Sequence, residues 1–119
     1  MGRFIYGCDI CQDVCPWNRR AAVSDAPEWL PRDAFDPADA LALWRMSDAQ
    51  LTSLVEGTPM TRAGVARLRR NLAVALGNAG RPLRADDLDG DADPARPSVA
   101  DPVVAEHVAW ARARLMGTN

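Results

Sequence analysis

The sequence predicts an all-α protein in which a cysteine-rich loop segment precedes a small region of paired helices. Runs of β-branched residues are few, apolar and polar residues do not alternate, and Ala, Leu and Arg are abundant. Helix start and stop signals bracket three or four helices in the second part of the chain. All three cysteines lie within residues 8–15. We therefore divide the chain into a cysteine segment, residues 1–24, and a helical domain, residues 25–119.

Length and composition limit the chain to about one small domain. Its 119 residues are 48% hydrophobic, which suffices for a modest core. A net charge of −2 argues against a protein that coats nucleic acid, but it leaves room for a local basic patch. No run approaches the roughly 18 apolar residues of a membrane span. Because the thiols are clustered as in a metal site, we expect a reducing compartment, the cytoplasm.

Two short helices are predicted first. Asp36-Pro37 supplies an N-cap followed by a first-turn proline, which predicts a helix that ends at Arg45. Ser47 with Gln50 three residues later forms a capping box. It opens a second helix, which stops at Gly57.

The longest predicted helix starts at Thr58 or Thr61 and ends near Ala79, with Gly80 as its stop. Apolar residues recur along it with the helical period. This stripe consists of Val65, Leu68, Leu72 and Leu76.

A loop over residues 81–100, rich in Pro and Asp, is predicted to be a solvated connector. Its aspartates resemble a calcium loop, but Pro94 and the lack of an acid at the twelfth position break that pattern. Asp101-Pro102 then starts a final helix that runs to about Leu115. The inner stripe of this helix consists of Val104, Val108, Ala111 and Leu115. We interpret the two long helices as an antiparallel pair, similar to one unit of an α-solenoid, that docks onto a larger body.

The cysteines have the spacing C-x2-C-x3-C-P, which is the end of the bacterial ferredoxin run C-x2-C-x2-C-x3-C-P. The cysteine that would open the full run falls at Ile5. In two-cluster ferredoxins the last cysteine of the run serves the other cluster, so Cys8 and Cys11 are predicted to share one [4Fe–4S] cluster and Cys15 to bind a second. Zinc, which would need a fourth ligand, and three structural thiols remain the alternatives. His107 is too far along the chain to be an expected ligand.

Four arginines are concentrated at the start of the longest helix: Arg62, Arg67, Arg69 and Arg70. The helical period directs Arg67 and Arg70 away from the core and leaves Arg62 and Arg69 on its flank. These residues form either a solvated face with snorkelling side chains or a ridge that contacts phosphates. For Trp17, next to the last cysteine, both shielding of a cluster and packing in the core stay open.

Three stretches resemble the epoxyqueuosine reductase family. Residues 6–18, which contain the string CDICQDVCPWN, are similar to its second cysteine motif, and residues 57–78 and 106–111 are similar to its HEAT-like helical region. The resemblance implies a cobalamin enzyme with two [4Fe–4S] clusters that reduces epoxyqueuosine to queuosine at the wobble position of the tRNA anticodon. It implies a HEAT-like helical domain here, a cytoplasmic location and a full-length monomer.

For individual residues, the resemblance implies that Cys8 and Cys11 join a cluster completed by upstream cysteines and that Cys15 completes the other cluster. It favours tRNA contacts by Arg62, Arg67 and Arg70. Cobalamin and the catalytic acid belong to the N-terminal part of the family protein, so no residue of this chain is expected to be catalytic. We expect the chain to be the C-terminal piece of a longer protein, or one with a misassigned start. A stand-alone electron-transfer module and a non-enzymatic helical interaction module are the alternative functions.

Overall fold

The computed structural model describes residue 2 and residues 4–30, 32–35, 39–80 and 82–117. Within these ranges the protein contains five α-helices and six short 3₁₀ turns but no strand, which confirms the all-α class. None of the helices described is long and apolar enough to cross a membrane. The α-helices are α1 (Ile10–Asp13), α2 (Ala40–Arg45), α3 (Asp48–Val55), α4 (Gly64–Ala79) and α5 (Pro102–Met116).

Helix α2 begins with a single capping side chain, whereas α3 begins with a reciprocal capping box. Asp39 caps α2, where its Oδ1 accepts hydrogen bonds from the amides of Leu41 (2.9 Å) and Ala42 (3.1 Å). The predicted start at Asp36-Pro37 lies outside the described residues. The capping box of α3 is confirmed, because Ser47 Oγ accepts from the Gln50 amide at 3.1 Å and Gln50 Oε1 accepts from the Ser47 amide at 2.8 Å.

The longest helix starts later than the sequence predicts. A 3₁₀ turn, Pro59–Arg62, comes first, and Thr58 caps it through a 3.2 Å bond from the Met60 amide to Thr58 Oγ1. Helix α4 then begins at Gly64 and ends before Gly80, as expected. Both glycines have positive φ, +72° and +68°, which other residues adopt only at a cost.

The predicted apolar stripes form the core. Leu68, Leu72 and Leu76 of α4 are buried and Val65 is half-buried. On α5 the four stripe residues are all buried, namely Val104, Val108, Ala111 and Leu115. Leu43 and Trp44 of α2 close the core from a third side.

The two long helices run in the same direction, so the expected antiparallel pair is wrong. Their first turns line one cavity, which Ala63–Arg67 share with Val103 and Val104. Their last turns meet at another, where Gly77 faces Arg114. The chain must therefore return along the helix pair between α4 and α5.

That return explains why the connector, predicted to be a solvated loop, is only partly one. It contains two 3₁₀ turns, Ala85–Leu88 and Pro97–Ala100, whose Leu88 and Val99 are among the most buried side chains. Arg112 of α5 holds its acidic stretch, since its guanidinium pairs with Asp91 at 2.9 Å and with Asp89 at 3.2 Å. The connector thus contributes Leu88 and Val99 to the core, while much of the rest stays exposed, and most of its aspartates pair with arginines.

Candidate functional site

The three cysteines lie on and beside the short helix α1. Gly7 (φ +61°) and Asp9 (φ +48°) turn the chain into this helix, and the Asp9 carbonyl accepts from the amide of Gln12 at 2.7 Å. Cys8 and Cys11 are exposed, whereas Cys15 is half-buried. The segment therefore presents free thiols at the protein surface.

Thiolates are the soft ligands that iron–sulfur clusters and zinc prefer, so the donor atoms fit such a group chemically. A [4Fe–4S] cube takes one thiolate on each of four irons, and the chain has three cysteines in total. Across the described ranges, no three or more His, Cys, Asp or Glu residues are grouped closely enough to hold a metal ion. These residues fit as part of a ligand set that includes cysteines from elsewhere.

Large apolar side chains surround the thiols in an unusually exposed state. Trp17 is 89% exposed, so its packing in the core is excluded. Ile10 and Val14, on either side of Cys11, are also exposed. His107 is half-buried and its Nδ1 lies 2.7 Å from the Val103 carbonyl of its own helix.

Side chains of the helical domain anchor the chain that leads to the cysteines. Asn71 of α4 donates to the Ile5 carbonyl at 2.8 Å, and the Tyr6 hydroxyl donates to the Pro59 carbonyl at 3.0 Å. Two helical turns further on, Asn78 donates to the Gly2 carbonyl at 2.8 Å. Sequence reasoning missed both asparagines, although their spacing of seven residues puts them on one helix face.

The arginines at the start of α4 separate into two kinds. Arg62 and Arg67 are exposed, and Arg67 Nη1 makes one bond, 3.2 Å, to the Ala63 carbonyl. Arg70 is half-buried, because its guanidinium folds back to donate two bonds, 3.0 and 3.1 Å, to Asn71 Oδ1. In the described part of the chain, none of these three takes part in an ion pair with a carboxylate.

Arg69, which the sequence places on the flank of the helix, is instead completely buried. Its guanidinium donates to the carbonyls of Trp44 and Met46 and to Asp48 Oδ1 at 3.0 Å, and it lies over the Trp44 ring, 5.5 Å from the centroid. It therefore satisfies the end of α2 and the start of α3. Its position four residues after Val65 and three before Leu72 was the available signal for burial.

The pKa values of Arg69 and of its partner Asp48 are both lowered in the fold. Burial lowers the pKa of Arg69, and hydrogen bonding to Asp48 opposes that shift. Burial also raises the pKa of Asp48, but hydrogen bonds from the side chain and amide of Ser98 and from Arg69 outweigh it, so that the pKa is lowered overall. Arg69 is consequently structural and is not available to a ligand.

A groove of about 340 Å³ lies between the anchored segment and the start of α4. We call it the Tyr6–Arg70 groove. The residues that matter to its chemistry are Phe4, Tyr6, Cys8, Arg67, Arg70 and Asn71. The fold thus brings one predicted cluster ligand and two predicted phosphate contacts to the same groove, while Arg62 lies outside it.

Fold and site together define a helical protein that carries three clustered cysteines near the surface. The chain is 41% identical over 96% of its length to an epoxyqueuosine reductase of Alicycliphilus denitrificans and 41% identical over 96% to one of Pseudomonas aeruginosa. The Escherichia coli epoxyqueuosine reductase is 38% identical, again over 96% of the chain. No protein-family model and no solved structure matches the chain.

The chain belongs to the epoxyqueuosine reductase family, as the resemblance of its cysteine motif predicts. It spans only part of these relatives, from 29% of the Escherichia coli protein to 32% of the Alicycliphilus denitrificans protein. The cysteine segment and helical region therefore correspond to about a third of a family protein.

Proposed function

We propose that the chain acts as part of an epoxyqueuosine reductase, the enzyme that reduces epoxyqueuosine to queuosine at the wobble position of tRNA. The observation that carries this proposal is the identity of 38–41% to such enzymes over 96% of the chain. In this proposal the chain supplies cluster ligands and a tRNA-contacting surface in the cytoplasm. It supplies no catalytic residue.

Cys8 and Cys11 ligate one [4Fe–4S] cluster and Cys15 ligates the other, each completed by cysteines outside the chain. The exposure of the first two thiols supports this assignment, because other parts of the protein can reach them. Conversion of the epoxide to the C=C bond releases the oxygen as water and consumes two electrons and two protons. A low-potential one-electron reductant supplies the electrons, which such clusters pass on singly.

The resemblance assigns cobalamin to the part of the family protein that precedes this cysteine motif. When bound, that cofactor supplies the cobalt-centred reduction chemistry of the enzyme. None of the residues of this chain is proposed to hold it, and no step is derived through it.

Arg62, Arg67 and Arg70 are proposed to contact phosphates of the tRNA near the anticodon. Support comes from their positive charge, which none of the described ion pairs neutralises. The net charge of the chain, −2, is small enough to leave room for such a local basic patch. Phosphate contacts of this kind position an RNA without reading its sequence.

The test replaces the matching third of the Escherichia coli enzyme by this chain, in a strain that lacks its own epoxyqueuosine reductase. Mass spectrometry of digested tRNA should then detect queuosine. Cys8→Ser with Cys11→Ser should remove the iron of one cluster and Cys15→Ser that of the other, and either change should leave epoxyqueuosine in the tRNA. His107→Gln is the matched control and should change neither readout.

A folded chimera with full iron content that forms no queuosine would contradict the proposed enzyme activity. Full activity of the cysteine variants would show instead that the thiols are not cluster ligands. The 119-residue chain alone, reconstituted anaerobically with iron and sulfide, should hold less than one complete cluster. A stoichiometric cluster on the chain alone would favour an independent electron-transfer module.

A further inference from the structure

The Tyr6–Arg70 groove combines two kinds of surface that recognise an unpaired nucleotide. Arg67 and Arg70 line one side, and the rings of Phe4 and Tyr6, 45% and 42% exposed, line the other. Its volume of about 340 Å³ falls in the range of small-molecule sites. Aromatic rings that accept stacked bases, together with cations that accept phosphates, are the usual elements of single-stranded RNA sites.

Arg67 and Arg70 of this groove take part in none of the described ion pairs, unlike four other arginines of the protein. Arg45, Arg69, Arg96 and Arg112 each pair with an aspartate at 2.8–3.3 Å. Within the described ranges no acidic side chain lines the groove. The same two arginines also line a second cavity, and Asp101 lines that cavity as well.

The aromatic side is held in place before any ligand binds. The Tyr6 hydroxyl is tied to the Pro59 carbonyl at 3.0 Å, and the backbone next to it is tied at Ile5 to Asn71 at 2.8 Å. Asn71 is itself 8% exposed and lies in the packed face of α4. A site whose walls are fixed in this way loses little conformational freedom on binding.

We propose that the groove binds one unpaired nucleotide of the tRNA, with its base against Phe4 and Tyr6 and its phosphate on Arg67 and Arg70. This inference rests on the proposed function, which supplies the RNA, and adds a specific subsite and its recognition chemistry. Because Cys8 also lines the groove, the bound nucleotide lies beside a proposed cluster ligand. The base contact is non-sequence-specific stacking, and the arginines set position.

Binding of a fluorescent anticodon stem-loop by the full 119-residue chain tests the two parts separately. Tyr6→Ala should weaken binding about tenfold, as loss of one stacked base does, and leave the salt dependence unchanged. Tyr6→Phe keeps the ring but loses the bond to the Pro59 carbonyl, so its affinity should lie between those of the unaltered chain and Tyr6→Ala. Arg67→Ala and Arg70→Ala should each lower the slope of log Kd against log salt by about one.

Arg45→Ala is the matched control for charge, because Arg45 is exposed but pairs with Asp87 outside the groove. It should alter the affinity and the salt slope much less than either groove variant. If all three arginine variants changed the affinity and the salt slope equally, the RNA would respond to overall charge and not to the groove, and the subsite would be overturned. Wild-type affinity of Tyr6→Ala would overturn the stacking contact, and failure of the folded chain to bind the RNA would overturn the whole inference.

Alkylation of the cluster-free chain gives a second readout with an internal control. Cys8 lines the groove, while Cys11 is exposed on the same turn and does not line it. At an RNA concentration ten times Kd, the alkylation of Cys8 should slow about tenfold by mass action, and that of Cys11 should not change. Equal rates at Cys8 with and without bound RNA would place the nucleotide elsewhere.

The two proposals fail in different ways. Tyr6→Ala in the Escherichia coli chimera should raise the tRNA concentration needed for queuosine formation while the iron content stays normal. A chimera that forms queuosine with unchanged tRNA dependence in this variant would reject the groove and retain the enzyme. Specific RNA protection of Cys8 without queuosine formation would retain the groove and reject the enzyme.

Discussion

Replacement of Arg69 by Met should destabilise the protein more than loss of any surface arginine. Arg69 is fully buried and its guanidinium reaches the Trp44 and Met46 carbonyls and the carboxylate of Asp48. Met fills much of the same volume, so the change removes chiefly the hydrogen bonds and the charge. The buried Trp44 carbonyl and the part-buried Met46 carbonyl lose this donor, and a buried group left without a partner costs about 1–3 kcal/mol in the general case.

Asp48 limits the damage, because Ser98 still donates to it from its amide at 2.8 Å and from its hydroxyl at 2.7 Å. Arg96 also keeps a 3.3 Å bond to the Trp44 carbonyl. We therefore expect a loss of about 3 kcal/mol, the lower end of the range for breaking a buried pair by removing one partner. For a chain of this size that corresponds to a fall in Tm of roughly 10–15 °C.

Urea unfolding followed by circular dichroism at 222 nm, with the combined fluorescence of the four tryptophans as a second probe, measures the loss. Arg45→Ala is the control, because the Arg45 side chain is 62% exposed and makes a single ion pair to Asp87 at 3.3 Å. It should cost less than about 1 kcal/mol. If Arg69→Met unfolded within about 1 kcal/mol of the unaltered chain, the interpretation of Arg69 as the residue that joins α2, α3 and α4 would be wrong.

Two further predictions concern helix packing and acid sensitivity. Gly77→Ala should destabilise the protein by about 1–3 kcal/mol despite the better helix propensity of Ala. The reason is that the new Cβ would lie 2.9 Å from both Ala111 Cβ and Trp110 Cζ3. Thermal unfolding measures this loss, and addition of Ala111→Gly to the same chain should recover stability. Since the pKa of Asp48 is lowered in the fold, its stabilising contribution is present above the unfolded-state pKa of about 3.9 and is lost as pH falls through the lower folded value. Denaturant titrations from pH 5 downward should therefore show a weaker pH dependence for Asp48→Asn, and an unchanged dependence would remove Asp48 as a source of acid sensitivity.

Local rules predicted much of the helical architecture. Ser47 and Gln50 form their capping box, and Asp101 caps α5 by accepting from the Val103 amide at 2.9 Å. The stripes of α4 and α5 are the core because helical periodicity depends only on neighbours along the chain. The resemblance of the cysteine string predicted the family, which the relatives at 38–41% identity confirm.

What the sequence did not reveal depends on partners distant along the chain. Arg69 is buried because its acceptors, such as Trp44 and Asp48, come from α2 and α3, more than 20 residues earlier. Leu88 and Val99 are core residues because the two long helices are parallel, a direction that no local signal encodes. A stretch dense in Asp and Pro is typical of a solvated loop until arginines from elsewhere, such as Arg112, supply its counter-charges.

One of the contacts that anchor the cysteine segment comes from a side chain that both donates and accepts. The Asn71 amide donates to the Ile5 carbonyl at 2.8 Å, and its oxygen accepts both bonds from Arg70. Asp at this position would bring a carboxylate against the Ile5 carbonyl, and Leu would leave both partners unpaired beside the core. The side-chain amide of Asn71 meets both requirements, so the segment that leads to Cys8 and the arginine proposed to contact RNA are held by the same group. The groove between them therefore follows from α4 itself, and its two walls cannot be repositioned independently.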